Sequence, residues 1–150
     1  MKLPSRISFL FLIGVFAVGS TALGYYYYFF YEPPLKAAAK FMNDMERKDA
    51  DGLKADIFVS NDVDEGQFRD ARPQEIKDLI DVRFRRGRIV DQRRHEGKTR
   101  DLYYLVYREP DGRVYALVVT MYNGRYRVVI PEPHQSSKRH RYLWDYTWTN

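Results

Sequence analysis

The chain has 150 residues, no cysteine, and 25 basic against 20 acidic side chains, a net charge of +5 at pH 7. Without cysteine it has neither a disulfide framework nor a thiolate metal site. Its length leaves room for one compact core beyond the apolar N-terminal stretch.

Residues 1–6, Met1-Lys2-Leu3-Pro4-Ser5-Arg6, form a positively charged start. From Ile7 to Tyr31 no residue is charged, and the run ends in Tyr25-Tyr26-Tyr27-Tyr28-Phe29-Phe30-Tyr31. Residues 7–31 exceed the roughly 20 that a helix needs to cross a hydrocarbon core about 30 Å thick. A domain of this size rarely hides such a helix on every face. A signal peptide is the rival reading: Ile7–Gly19 makes an apolar h-region, and Ala22-Leu23-Gly24 puts small residues at a cleavage site. The aromatic run beyond that point favours a retained transmembrane helix. Tyrosine rings settle at the headgroup level, where the ring is apolar and the hydroxyl stays wet. Tyr25, Tyr26, Tyr27, Tyr28, Phe29, Phe30 and Tyr31 are therefore expected at the membrane interface.

Gly14, Ala17, Thr21 and Gly24 share one helix face, which lets a second helix approach closely. Membrane helices are also rich in Gly and Ala without any partner. Lys2 and Arg6 precede the segment, and Lys36, Lys40, Arg47 and Lys48 follow it, so a count of basic residues leaves the orientation open. The signal-like start decides the expectation: a single-pass protein of the cell inner membrane, N-terminus cytoplasmic, domain periplasmic or otherwise extracytoplasmic.

Glu32-Pro33-Pro34 reads as a stiff break. Leu35, Ala38, Met42 and Met45 recur at helical spacing, with Phe41 beside them, and Gly52 ends that region. Residues 53–59 fit either a short helix or a strand. Asn61–Asp70 is polar and acidic and reads as a loop. A second helix is predicted over 74–86: Pro73 at its start, Glu75 in the first turn, Arg83, Arg85 and Arg86 in the last, Gly87 after it. Ile76, Leu79, Ile80 and Phe84 are its buried stripe. Strands follow at Arg88–Glu96, Leu102–Tyr107, Arg113–Tyr122 and Arg125–Ile130. Pro110-Asp111-Gly112 marks one turn, and Asn123-Gly124 marks a tight hairpin whose central positions need positive φ.

Helices followed by a meander of long strands predict an α+β domain over residues 35–131, with helices packed on one face of a curved antiparallel sheet. In its element order, and in the meander from Tyr103 to Ile130, the domain resembles the cone-shaped superfamily of nuclear transport factor two-like and cystatin-like domains. That resemblance implies a pocket-binding protein, an isomerase or dehydratase, or a membrane-anchored accessory subunit. The anchor-plus-domain layout is also similar to inner-membrane assembly subunits of type IV secretion systems. No motif carries a functional residue over from these families.

The chemistry-bearing residues are sparse. His95, His134 and His140 lack metal-ligand spacing. Asp62, Asp64 and Glu65 stand in the wrong order for a calcium loop. There is no phosphate loop, nucleophile elbow or cysteine nucleophile. An isomerase-type site would need a carboxylate and a tyrosine inside the cone, and tyrosines in such strands usually pack across the sheet. Neither catalysis nor a cofactor is expected. Arg83, Arg85, Arg86, Arg88, Arg93 and Arg94, with Lys98 and Arg100, form a basic patch that meets only Asp91 and Glu96 as acids. It fits lipid phosphate or an acidic protein face, or else a charged edge strand that resists wrong pairing. Nucleic acid is not expected as a partner for a domain outside the cytoplasm.

Residues 132–150 combine a basic linker with Tyr142, Trp144, Tyr146 and Trp148, whose alternation puts four rings on one face of an extended strand. Such a stripe serves a partner interface or adds a last strand to its own sheet. The expected function is a non-catalytic, single-pass accessory subunit of a larger membrane complex, of electron-transport, photosynthetic or secretion type. Its expected partners are other membrane-protein subunits and membrane lipid. The alternatives are a membrane-tethered binder of a lipid or small apolar ligand and, third, a cone-fold isomerase-like enzyme.

Overall fold

The computed structural model describes residues 6–63, 65–132 and 142–145. The chain divides into two compact units, residues 1–33 and 34–150.

In the first unit, helix α1 spans Arg6–Tyr26 and a π-helical turn spans Tyr27–Tyr31. At 1.5 Å per residue α1 is roughly 31 Å long, and it is apolar and long enough to cross a membrane. Its side chains are exposed from Phe11 to Tyr26. Two of its hydroxyls bond within the helix: Ser20 Oγ donates to the Phe16 carbonyl and Thr21 Oγ1 to the Ala17 carbonyl, each at 2.8 Å. In the wide turn the Glu32 N–H reaches back five residues to the Tyr27 carbonyl. Pro33 and Pro34 follow at once and have no N–H to give, so the α-helical ladder is interrupted where the turn widens. The expected stiff break at residues 32–34 is instead helical. Both prolines lie in the first turn of helix α2, Glu32–Arg47, where a missing N–H is tolerated.

In the second unit, α2 buries Ala38, Phe41, Met42 and Met45. Helix α3, Ala50–Asp56, starts at Asp49, whose carboxylate accepts the Gly52 N–H at 3.0 Å. The ambiguous residues 53–59 split: α3 runs to Asp56 and strand β1 takes Ile57–Ser60. The remaining elements are β2 (Arg69–Asp70), α4 (Pro73–Ile80), β3 (Arg88–Glu96), β4 (Asp101–Arg108), β5 (Val114–Tyr122), β6 (Arg125–Pro131) and β7 (Trp144–Asp145). Asn123 and Gly124 take φ of 50° and 75° in the β5–β6 turn, as a tight hairpin requires.

The fold is α+β. Six strands form an open sheet in the order β2-β1-β6-β5-β4-β3, and β7 pairs with β5. The sheet is mixed rather than wholly antiparallel, because β1 runs parallel to β6, from Ile57↔Val128 to Ser60↔Pro131. A parallel neighbour needs a long crossover, and everything from β2 to β5 lies between these two strands in sequence.

Alternation sends side chains to both faces. Ile57, Val59, Tyr103, Leu105, Tyr107, Leu117, Val119, Val128 and Ile130 share one core with residues of α2 and α4. Phe58, Leu102, Val118 and Val129 form a second cluster with Val63, Phe68, Tyr104 and Trp144. Both faces are covered, which is why β4 and β5 read as apolar throughout.

Helix α4 ends six residues earlier than the sequence predicts. The Asp81 N–H closes the last turn onto Lys77 O at 3.1 Å, and residues 83–87 have no regular structure. Phe84 still packs on the core, but from this irregular segment. Arg83, Arg85 and Arg86 therefore do not sit in a helix terminus, and no helix dipole acts on them.

The tail takes one of its two sequence readings, a last strand on its own sheet, while Tyr142 and Trp144 divide between two clusters. Tyr142 is 1% exposed and lies against Phe41 and Phe84, with ring centroids at 6.1 and 5.6 Å. Leu143 is buried in the same core. Trp144 belongs instead to the second cluster, where its Nε1–H donates to the Val129 carbonyl at 2.8 Å. Tyr142 and Trp144 thus leave the tail toward different clusters, because Tyr142 precedes the short strand. Tyr146 and Trp148 lie outside the described residues. Strand β7 pairs at Tyr115↔Asp145 and Ala116↔Trp144, on a part of β5 that β6 does not reach, since the β5–β6 ladder begins at Val118↔Val129. Tyr142→Ala should therefore lower domain stability by about 3–5 kcal/mol, read from urea unfolding. An unchanged midpoint would remove the tail from the core.

Candidate interaction surfaces

Most charged side chains with defined partners brace the fold. Arg69 makes a forked contact with Glu75, Nη1 to Oε2 at 2.9 Å and Nη2 to Oε1 at 2.6 Å, and its Nη2 also reaches Glu132 Oε1 at 3.0 Å. One guanidinium thereby ties β2 to α4 and to the end of β6. Glu75 Oε2 also accepts the Arg72 N–H at 2.7 Å, closing the N-terminus of α4 from its third residue. The Arg69 hydrogen bonds hold the Glu75 carboxyl below its ordinary range, against an opposing effect of burial.

Lys40 bridges Asp44, at 3.2 Å, and Asp56, joining α2 to the end of α3. Burial pushes the Asp44 carboxyl up, and the nearby Asp56 adds to this while Lys40 opposes it. A Cβ on Gly52 would come within 2.7 Å of Asp44 Oδ2, so this carboxylate lies flat against the α3 backbone. A side chain so enclosed is a strut between helices.

Among the described residues no group of three or more His, Asp or Glu is placed to hold a metal ion. His95 is exposed on β3, edge-on to the Tyr104 ring at 6.2 Å; His134 and His140 lie outside the described residues. Three tyrosines with raised phenol pKa, Tyr103, Tyr107 and Tyr142, owe the shift first to burial. Their rings pack in the core.

The basic patch separates into groups with different surroundings. Strand β3 is the sheet edge, and its arginines are exposed. Arg86 is held by Glu46 and by Asn43 Oδ1, both at 2.8 Å, Arg93 by Asp91 at 3.3 Å, and Arg94 by Asp101 at 2.6 Å. Lys98 pairs with Glu65. Arg100 turns to the second face of the sheet, with its guanidinium carbon 4.4 Å from the centre of Tyr122 and 5.1 Å from that of Phe68. Arg127 stacks likewise over Phe58 at 4.5 Å and pairs with Asp70 at 3.1 Å.

Arg83, Arg85 and Arg88 remain exposed without an ion pair among the described residues. They are joined by Arg108, which the sequence reading left out. Arg88 and Arg108 are register partners across β3 and β4. No local signal gives this pairing: counting back from the β3–β4 turn at residues 97–100 sets Arg88 opposite Glu109, and only the bulge between Ile89 and Asp91 brings Arg108 against it.

The apolar surface of α1 is the other candidate. Gly14, Ala17, Thr21 and Gly24 lie exposed along it, and a Cβ added at Gly14 or Gly24 would meet nothing within 4 Å. The aromatic run forms a ladder of rings at i,i+4: Tyr25–Phe29 at 4.5 Å, Tyr26–Phe30 at 5.9 Å and Tyr27–Tyr31 at 5.5 Å.

Comparison with family models, with curated proteins and with solved structures finds no match to this chain. The residues themselves must therefore carry the reading.

The Arg69–Glu75 contact makes a pH prediction. A folded-state pKa below the ordinary 4.5 means that the unfolded chain binds this proton more tightly. The stabilisation is complete above 4.5 and is lost as pH falls through the lowered folded value. Glu75→Gln should cost about 1–3 kcal/mol at neutral pH, and its difference from the parent should shrink in acid. A difference that stays constant down the acid limb would show that Glu75 is not held as an ion.

Proposed function

We propose that this chain is a non-catalytic, single-pass accessory subunit of a larger membrane assembly. The observation that carries the reading is α1: exposed apolar side chains from Phe11 to Tyr26, Ser20 and Thr21 hydroxyls bonded to its own carbonyls, and a ring ladder at its end. Hydroxyls that bond back to the helix's own carbonyls suit a hydrocarbon solvent. Tyrosine at its end suits the headgroup layer. The positively charged start at Met1–Arg6 supports an N-terminus in the cytoplasm and a domain on the far side of an inner membrane.

The domain supports a scaffold rather than a container. Its helix-covered face is filled by Phe41, Tyr107 and Tyr142, each at most 1% exposed, which counts against a ligand held between helices and sheet. Helices on one face of the sheet agree with the resemblance to nuclear transport factor two-like domains, among which membrane-anchored accessory subunits are one type. Other subunits and membrane lipid are the partners this reading requires.

The protein should stay with membranes through carbonate and high-salt washing, and mass spectrometry of the mature chain should recover residues 1–24. Purification in mild detergent should bring further subunits with it. A mature chain that begins at Tyr25 would replace the anchor by a signal peptide and overturn this reading.

A further inference from the structure

The unneutralised arginines of the basic patch are gathered at one end of the sheet by a specific piece of packing. The Tyr107 hydroxyl accepts the Gly87 N–H at 2.5 Å and donates to the Arg85 carbonyl at 2.8 Å. Gly87 lies so close that a Cβ there would fall 2.4 Å from the Arg108 carbonyl oxygen and 2.7 Å from the Tyr107 ring. The segment that carries Arg85 and Arg88 is therefore clamped onto the strand that carries Arg108. Arg88 and Arg108 then face each other in register, and like charges directly opposite destabilise a strand pair. Arg83 stands exposed two residues before Arg85. While Arg86, Arg93 and Arg94 are ion-paired within the domain, these four have no ion pair among the described residues. Exposed arginines brought to one end of the sheet, two of them opposed at a cost to the strand pair, are the arrangement expected for an anion supplied from outside.

We infer that Arg83, Arg85, Arg88 and Arg108 form a docking surface for an anionic phospholipid bilayer. The inference rests on the membrane-anchor reading, which makes lipid phosphate the anion at highest local concentration for a tethered domain. Guanidinium groups match phosphate geometry in two-pronged contacts. Each arginine near an anionic surface strengthens partitioning about fivefold, so the contact requires several together.

The test uses the full chain in nanodiscs of phosphatidylcholine alone or mixed with phosphatidylglycerol, read by amide hydrogen exchange. Exchange over residues 83–90 should slow about tenfold in the anionic discs relative to the neutral ones, and high salt should cancel the difference. The variant R83Q/R85Q/R88Q/R108Q should lose this protection without losing stability, because it removes the opposed pair. The variant R93Q/R94Q should keep it. Equal exchange in both disc types would overturn the inference, as would equal loss in the two variants. Inorganic phosphate giving the same protection to detergent-solubilised chain would assign the surface to a soluble anion and overturn the lipid assignment. A chain that fails to enter the discs would defeat the anchor reading alone. Sedimentation with phosphatidylglycerol vesicles needs no anchor and still decides the arginine surface: salt-sensitive binding lost in the fourfold variant supports it, and absence of binding ends it.

Discussion

Tyr107 is 1% exposed, and its hydroxyl holds both a carbonyl and an N–H of residues 85–87. Two backbone groups of an irregular segment are satisfied by one side chain, and a buried phenol obtains the partners it needs in the same step. Much of the domain's shape follows from this bridge. It draws the chain leaving α4 across the end of β4, so β3 enters the sheet at Arg88. It brings Phe84 over the core, where Tyr142 can close on it. Burial raises the Tyr107 phenol pKa, and the Gly87 N–H acts in the opposite sense. The hydroxyl stays protonated and able to donate through the physiological range. Gly87 is essential to the arrangement because any side chain there would collide with strand backbone.

The bridge also explains which parts of the chain were legible. Residues 74–86 carry a helical pattern to the end: an N-terminal proline, an early glutamate, late arginines and a following glycine. The pattern holds through Ile80, where apolar periodicity and local hydrogen bonds agree. Beyond it, a phenol from a strand twenty residues away in sequence takes the Gly87 N–H that a continuing helix would have used, together with the Arg85 carbonyl. Local propensity is a weak prior against such a contact. The glycine read as a helix stop is there for a close approach. The hairpins were legible because their determinants are local, as Asn123 and Gly124 show by supplying the positive φ that the turn demands. The parallel pairing of β1 with β6 was not legible, since it joins residues about seventy apart and nothing in Ile57–Ser60 names its partner.

The candidate surfaces divide in the same way. That residues 7–31 are apolar and end in aromatics is a property of the one-dimensional sequence, and the helix displays it directly. The basic patch was visible as a run of charges, but its division into paired, stacked and unpaired arginines depends on where carboxylates and rings arrive from elsewhere. Glu46 comes from α2, Asp101 from β4, and Phe68 from the loop before β2. Proximity in sequence therefore overstated the patch by including Arg86, Arg93 and Arg94, and understated it by omitting Arg108.

The second face of the sheet shows how the domain manages apolar surface without a second helical layer. Phe58, Leu102, Val118 and Val129 are buried there, with no helix among the described residues to cover them. Phe68 stacks on Phe58 at 6.2 Å and Tyr122 meets it edge-on at 5.4 Å. Arg100 and Arg127 lie over these rings, and Trp144 adds its indole from the tail. An arginine over an aromatic ring covers apolar area with its stem and guanidinium, and here Arg100 Nη1 and Arg127 Nε are themselves buried without a hydrogen-bond partner among the described residues. Cations on this face discourage sheet-on-sheet association. The same residue type serves at the other end of the sheet for the opposite purpose. Among the described residues Arg88 and Arg108 have neither a ring contact nor an ion pair, and both are exposed, so an anionic surface can meet their charge.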